Sequence, residues 1–126
     1  MVKFGEALSA FIKFLAGPTY SSNDYELAIK TSKDLEHLLE QEWGAEGKGL
    51  HEKITWVQHS SSPLPDDLMR RMRFLATIRN KLIHEVEFTK IENRSKFIET
   101  YERSKRELRT ILVQRGSTRS NDCTIM

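Results

Sequence analysis

The fold is decided by residues 65–85, which read PDDLMRRMRFLATIRNKLIHE. Apolar side chains recur here at three- and four-residue spacing, which is the spacing of one face of an α-helix. Pro65 followed by Asp66 and Asp67 is a typical helix start, because proline suits the first turn and carboxylates complement the positive helix end. We predict a helix over 66–85 with these side chains toward the core: Leu68, Met72, Leu75, Ala76, Leu82 and Ile83.

The same spacing predicts further helices on both sides of this segment. One covers about 4–15 and ends at Gly17-Pro18; a second begins after N-cap candidates at 21–24 and runs toward Trp43. A shorter helix is expected over 50–57, and a last one over about 92–113. No strand pattern competes, so we expect an all-α fold, an antiparallel four- to five-helix bundle over residues 1–115. Residues 116–126 lack periodicity and are predicted to form a flexible tail.

Length and composition fit one small domain. The chain has 126 residues, 38% of them apolar and 30% charged, and no apolar run reaches the ~18 residues that cross a bilayer. Its single cysteine, Cys123, excludes an intrachain disulfide. Together with an N-terminus that does not resemble a secretory signal, this favours a cytoplasmic location.

The net charge of +2 is too small to indicate a nucleic-acid-binding protein by itself. Its distribution is more informative, because basic residues concentrate in one segment: Arg70, Arg71, Arg73, Arg79 and Lys81. A local basic surface can bind a polyanion in a nearly neutral chain, and Arg73 and Lys81 are candidate RNA contacts. Alternating charges that solvate helix faces explain the same pattern without a ligand.

Arg79, Asn80 and His84 form the one group of residues whose spacing indicates chemistry. Asn80 and His84 are one helical turn apart and share a side of the helix, and Arg79 lies about 100° from Asn80. Arg79 can hold phosphate oxygens, Asn80 can position by hydrogen bonds, and His84 can transfer a proton near neutral pH. These groups suit RNA cleavage without a metal, in which the 2′-hydroxyl attacks the neighbouring phosphate.

The pattern Arg79-Asn80-x-x-x-His84 near the end of a helix resembles the signature of HEPN domains (higher eukaryotes and prokaryotes nucleotide-binding). The resemblance implies a HEPN-like helical bundle over most of the chain. It also implies a homodimer in which two motif helices meet, RNA or nucleotide as ligand, and metal-independent endoribonuclease activity with Arg79, Asn80 and His84 as catalytic residues. Members that act as toxins or defence components have a protein antitoxin as partner.

Two alternatives to an enzyme remain open. A non-catalytic HEPN module would bind nucleotide, RNA or a protein partner, and a plain helical protein would use the three motif residues structurally. The chain also departs from a toxin subgroup in which Tyr stands two residues after the His, because that position is Val86. Regulation through that tyrosine therefore cannot be carried over to this chain.

We expect neither a metal nor a cofactor. His37, His51 and His59 show no metal-ligand spacing, and the glycines at 44, 47 and 49 follow a helix instead of a strand. The aromatic side chains suit either base stacking or the core: Trp43, Trp56, Phe74 and Tyr101.

The last four residues, Cys123-Thr124-Ile125-Met126, have the form of a prenylation signal. In a eukaryotic cell Cys123 would carry a farnesyl group and give weak membrane attachment; in a bacterium the match would be accidental.

Overall fold

The computed structural model describes residues 20–125, with side chains described as far as Gly116. Within that range the chain forms four helices and no strand: α1 (Asp24–Trp43), α2 (Leu50–Gln58), α3 (Asp66–His84) and α4 (Arg94–Ile125). This confirms the all-α fold class for the described residues. The helix predicted over 4–15 lies outside them.

Local sequence signals determine where the helices begin and end. The Asn23 side chain accepts a hydrogen bond from the Glu26 N–H (3.1 Å) and caps α1. Gly44 ends α1 in the left-handed conformation, at φ 70°, which glycine adopts without steric cost. α3 begins after Pro65 and ends at His84, where Glu85 turns to extended backbone.

The predicted apolar faces form one core. The side chains of Leu35, Ile54, Met72, Phe97 and Leu108 are fully buried, so each of the four helices contributes to it. Ile83 is the exception, since 41% of it is exposed and we had predicted it in the core. In the last turn of α3 it is Leu82, about 100° around the helix, that takes the buried position.

Helix directions differ from the antiparallel bundle predicted from sequence. α4 runs antiparallel to α3, because Arg71 pairs with Glu107 while Lys96 lies over the Phe74 ring. It runs parallel to α1, since three contacts follow in the same order along both helices: Asp24 with Arg94, Asp34 with Lys105, and Glu42 with Arg115.

The loop between α1 and α2 explains why the helix directions differ from the prediction. This loop returns along α1, so that Gly49 lies near Glu36 and Trp56 lies near Gly44. α2 therefore runs in the same direction as α1. The chain reverses its direction only after α2, so the alternation of helix directions begins one helix later than predicted. The antiparallel arrangement therefore holds for α3 with α4, whereas α2 runs parallel to α1 because the loop at 44–49 does not reverse the chain.

The last helix is longer than predicted. We expected it to end near residue 113, where the apolar stripe ends, but α4 continues to Ile125. Backbone hydrogen bonds can extend a helix past its buried face, and the apolar pattern does not report that extension. The flexibility of residues 116–126 and the lipidation of Cys123 stay predictions, because side chains beyond Gly116 are not described.

Candidate functional site

Arg79 and Asn80 occupy the side of α3 that faces α1 and α2. Both side chains are half-buried, and Arg79 Nη1 donates a hydrogen bond to Asn80 Oδ1 over 3.0 Å. This bond uses the amide oxygen of Asn80 and orients the guanidinium, whose other N–H groups make no hydrogen bond with another residue that the structure describes. The pair thus presents a fixed cation beside an amide that can still donate.

A cleft of about 210 Å³ lies in front of this pair. Its walls come from three places: Ser32 and Glu36 on α1, residues 48–52 at the start of α2, and Ala76, Arg79 and Asn80 on α3. Ser32 is 2% exposed, and its hydroxyl has no hydrogen-bond partner among the described residues. A buried hydroxyl without a partner is costly, so this wall favours a ligand or water that accepts from or donates to it.

The electrostatics of the cleft are mixed. Arg79 and Lys48 supply positive charge, and the N-terminus of α2 adds its dipole, because Gly49 makes no side-chain cap. Glu36 and Glu52 supply negative charge; Glu52 accepts from the Lys48 N–H (2.6 Å). The buried Lys53 lies 4.0 Å from Glu36 and donates to the Gly47 carbonyl (2.8 Å), which partly balances the glutamates.

His84 has different surroundings from the other two motif residues. It is exposed, it does not line the cleft, and its side chain makes no hydrogen bond or ion pair with another described residue. Its neighbours Ile83 (41% exposed) and Val86 (93% exposed) place apolar surface on either side of it. The structure therefore brings Arg79 and Asn80 together and leaves His84 open to solvent at the end of the same helix.

His51 is a titratable residue of the cleft that no spacing pattern in the sequence singles out. Its Nδ1 lies 3.3 Å from Arg73 Nη1, and its Nε2 lies 3.4 Å from the Thr77 hydroxyl. Arginine only donates, so Nδ1 must accept and the proton must be on Nε2. Burial, and then the charge of Arg73, lower the pKa of His51, so the imidazole is neutral near pH 7.

The two predicted RNA contacts have different environments. Arg73 bridges α3 to α2, because besides His51 it donates to the Thr55 hydroxyl (2.9 Å) and the Gln58 amide (3.4 Å). Lys81 is exposed, and its ammonium lies 5.7 Å from the centre of the Phe88 ring. Of the two, Lys81 is open to a ligand, whereas the guanidinium of Arg73 already has protein partners.

Within the described part of the chain, no group of three His, Cys, Asp or Glu side chains is arranged to hold a metal ion. In that same part, no helix is long and apolar enough to cross a membrane. A scan against protein-family models and searches of curated proteins and of solved structures each found no match to this chain.

Proposed function

We propose that this chain is a HEPN-like RNA-binding protein that cleaves RNA without a metal, as a homodimer. The observation that carries the proposal is the state of the motif. Arg79 is oriented by Asn80 (3.0 Å), and the His84 side chain, one turn after Asn80, is exposed and has no hydrogen-bond or ion-pair partner among the described residues. A proton-transfer group must be able to reach its substrate, and an exposed imidazole at a helix end can do so.

The chemistry assigns one role to each residue. A base removes the proton of the 2′-hydroxyl, whose oxygen attacks phosphorus; an acid protonates the departing 5′-oxygen. Arg79 stabilises the extra negative charge on the phosphate in the transition state, and Asn80 holds Arg79. His84 is the proton carrier. The products are a 2′,3′-cyclic phosphate and a free 5′-hydroxyl, so no metal, water or redox partner enters the cleavage step.

A dimer would supply the second proton-transfer group that a single chain lacks. A single copy of the motif has one His84, while in-line cleavage uses both a base and an acid. The exposed Ile83 and Val86 beside it are the apolar side chains that a two-fold contact at this end of α3 would bury. In such a dimer the two His84 side chains lie in one joint cleft and share the two proton transfers.

The test is incubation of labelled tRNA and mRNA with the full chain in EDTA, beside His84→Ala. We expect cleavage by the wild type alone, with 2′,3′-cyclic phosphate ends. His84 is exposed, so the variant should keep the wild-type melting temperature. Cleavage that survives in His84→Ala, or products with 3′-hydroxyl ends, would contradict the assigned chemistry.

A second candidate is a non-catalytic module that binds a nucleotide. It is favoured by one observation: Arg79 and Asn80 face the cleft with the unpartnered Ser32 hydroxyl, and His84 does not line that cleft. In that case Arg79→Ala and Ser32→Ala weaken nucleotide binding, His84→Ala does not, and RNA is never cleaved. Calorimetric titration of the three variants with mononucleotides separates the two functions.

A toxin or defence role, with an antitoxin as partner, rests on the family resemblance alone. Co-purification of the chain with a neighbouring gene product, followed by loss of RNA cleavage in the complex, would support it. Unchanged cleavage in the complex would remove it.

A further inference from the structure

We propose that the groove between α3 and α4 binds a single strand of RNA and leads it to His84. This α3–α4 groove is lined by Arg70, Arg71 and Phe74 of α3 and by Lys96, Glu99 and Arg103 of α4, with a volume of about 470 Å³. The inference rests on the proposed function, to which it adds the form of the substrate and a surface outside the motif.

Charge is distributed unevenly among the helices. α1 carries six acidic and two basic side chains, whereas α3 carries two acidic and five basic ones. In α4, residues 94–115 carry three acidic and seven basic side chains. Although the net charge of the whole chain is small, α3 and α4 each carry a net positive charge. The α3–α4 groove lies between these two helices. That distribution favours a polyanion as the ligand of this groove.

The basic side chains of the groove can exchange their carboxylate partners for phosphate. Arg70 lies 3.7 Å from Asp67, with both side chains 79% exposed, and Arg103 lies 3.7 Å from Glu107. Exposed ion pairs of this kind contribute only ~0–1 kcal/mol, so phosphate oxygens can replace the carboxylates at little cost. Arg71 is held more firmly by Glu107, at the wall of the groove.

An aromatic ring is placed among these cations. Phe74 is half-buried in the groove wall, and the Lys96 ammonium lies 5.2 Å from the centre of its ring. Lysine is flexible, so Lys96 can move from the ring to a phosphate and leave the ring to a base. Cations that follow the backbone, combined with an aromatic platform, are how proteins bind single strands. A duplex keeps its bases paired and stacked on one another, so only a single strand can place a base on the Phe74 ring.

The groove points toward the motif along α3. Arg70, Lys81 and His84 are all exposed, and helix geometry places them within about 60° of one another on one face. From Arg70 to His84 the distance along the helix is about 21 Å. A strand bound at Arg70 and Phe74 can therefore pass Lys81 and present a downstream phosphate at His84.

Fluorescence anisotropy tests this with a labelled twelve-nucleotide RNA that carries 2′-O-methyl groups throughout and so lacks the attacking hydroxyl. Arg70→Gln with Arg103→Gln removes two groove cations. Arg106→Gln with Arg109→Gln is the matched control, since it removes two exposed cations from α4 outside this groove. At 0.1 M salt we expect the groove pair to raise Kd at least tenfold and the control pair less than threefold.

The salt dependence of Kd and the substitution of Phe74 give two further readouts. Losing two phosphate contacts should lower the slope of log Kd against log salt by about 1.4. Phe74→Leu should raise Kd about tenfold with the slope unchanged, because stacking carries no charge. A duplex of the same sequence and anionic lipid vesicles should bind at least tenfold more weakly than the single strand.

Equal weakening by the groove and control pairs, or no weakening by either, would overturn the groove as the binding surface. Tighter binding of the duplex or the vesicles would overturn the single-strand assignment. Cleavage of unmodified RNA is measured separately with the same proteins. Cleavage without groove dependence removes only this inference, whereas groove-dependent binding without cleavage removes only the ribonuclease function.

Discussion

The two halves of the motif lie in opposite surroundings. Arg79 and Asn80 are half-buried, bonded to each other and faced by a cleft that three helices build together. His84 is exposed at the end of the same helix, beside the exposed side chains of Ile83 and Val86. The first half has its protein contacts within one chain. The second half makes no side-chain hydrogen bond or ion pair with the residues that the structure describes, and in the proposed function its contacts come from RNA and a second chain.

The largest effect is expected from placing charge beside His84. Ile83→Asp with Val86→Asp would bring like charges together across a two-fold contact, which costs several kcal/mol. We expect loss of the dimer in sedimentation equilibrium and a fall in RNA cleavage of at least about 100-fold, since about 2.7 kcal/mol corresponds to that factor. The monomer should unfold at an unchanged denaturant concentration.

Ser61→Asp with Ser62→Asp is the matched control, because it adds the same charge to an exposed loop at the other end of α3. It should leave both the dimer and cleavage intact. A dimer that persists in the Ile83 and Val86 double variant would show that chains pair through another surface.

The next largest effect is a loss of stability at the loop that leads into the cleft beside Arg79 and Asn80. Gly47 has φ 142°, and a Cβ there would lie 2.5 Å from the Glu52 Cβ. Gly47→Ala should lower the free energy of unfolding in urea by about 1–3 kcal/mol, because backbone strain is added to a forced shift at the start of α2. Gly116→Ala is the control, with nothing within 4 Å of its Cβ, and should stabilise by about 0.5–1 kcal/mol. Equal effects of the two changes would contradict a loop fixed by Gly47.

A smaller effect is expected from the bond between the two cleft residues. Asn80→Ala removes the acceptor that orients Arg79, and a hydrogen bond of this kind contributes about 0.5–1.5 kcal/mol net. Affinity for the 2′-O-methyl RNA should fall by about two- to tenfold, less than for Arg79→Ala. If Asn80→Ala leaves affinity unchanged while Arg79→Ala lowers it, the orientation of Arg79 does not depend on this bond.

The smallest effect is a pH dependence from His51. Its pKa is lowered in the folded chain from an ordinary value of 6.5, so below that pH the unfolded chain binds the proton more readily. The contribution of His51 to stability should be constant above about pH 7 and fall as the pH drops through 6.5 toward its folded pKa. Urea unfolding at pH 7.5 and pH 5.5 should show a smaller loss for His51→Gln than for the wild type. An equal loss in both would place the titrating group elsewhere.

Much of the fold could be predicted because its signals are local. The start of α2 at Leu50, the start of α3 at Asp66 and the end of α1 at Trp43 follow from capping residues and apolar spacing within a few positions. The buried faces of Leu35, Ile54 and Phe97 follow in the same way. Helix direction could not be predicted, because it depends on how the loop at 44–49 returns along α1.

The candidate site could be predicted only in part. The spacing of Arg79, Asn80 and His84 gave their order on one helix, but whether each side chain faces a cleft or solvent depends on neighbours distant in sequence. His51 was missed for the same reason, since its partner Arg73 is 22 residues away. Periodicity also placed Ile83 in the core, although 41% of its surface is exposed at the end of α3.

The most direct test of the proposal that His84 acts across two chains is the cleavage rate per chain, measured in EDTA over a range of protein concentrations. Sedimentation equilibrium over the same range gives the dimer fraction. We predict that the rate per chain rises in proportion to the dimer fraction and is lost in His84→Ala at every concentration. A rate per chain that stays constant while the dimer dissociates, or no cleavage by a fully dimeric protein, would contradict it.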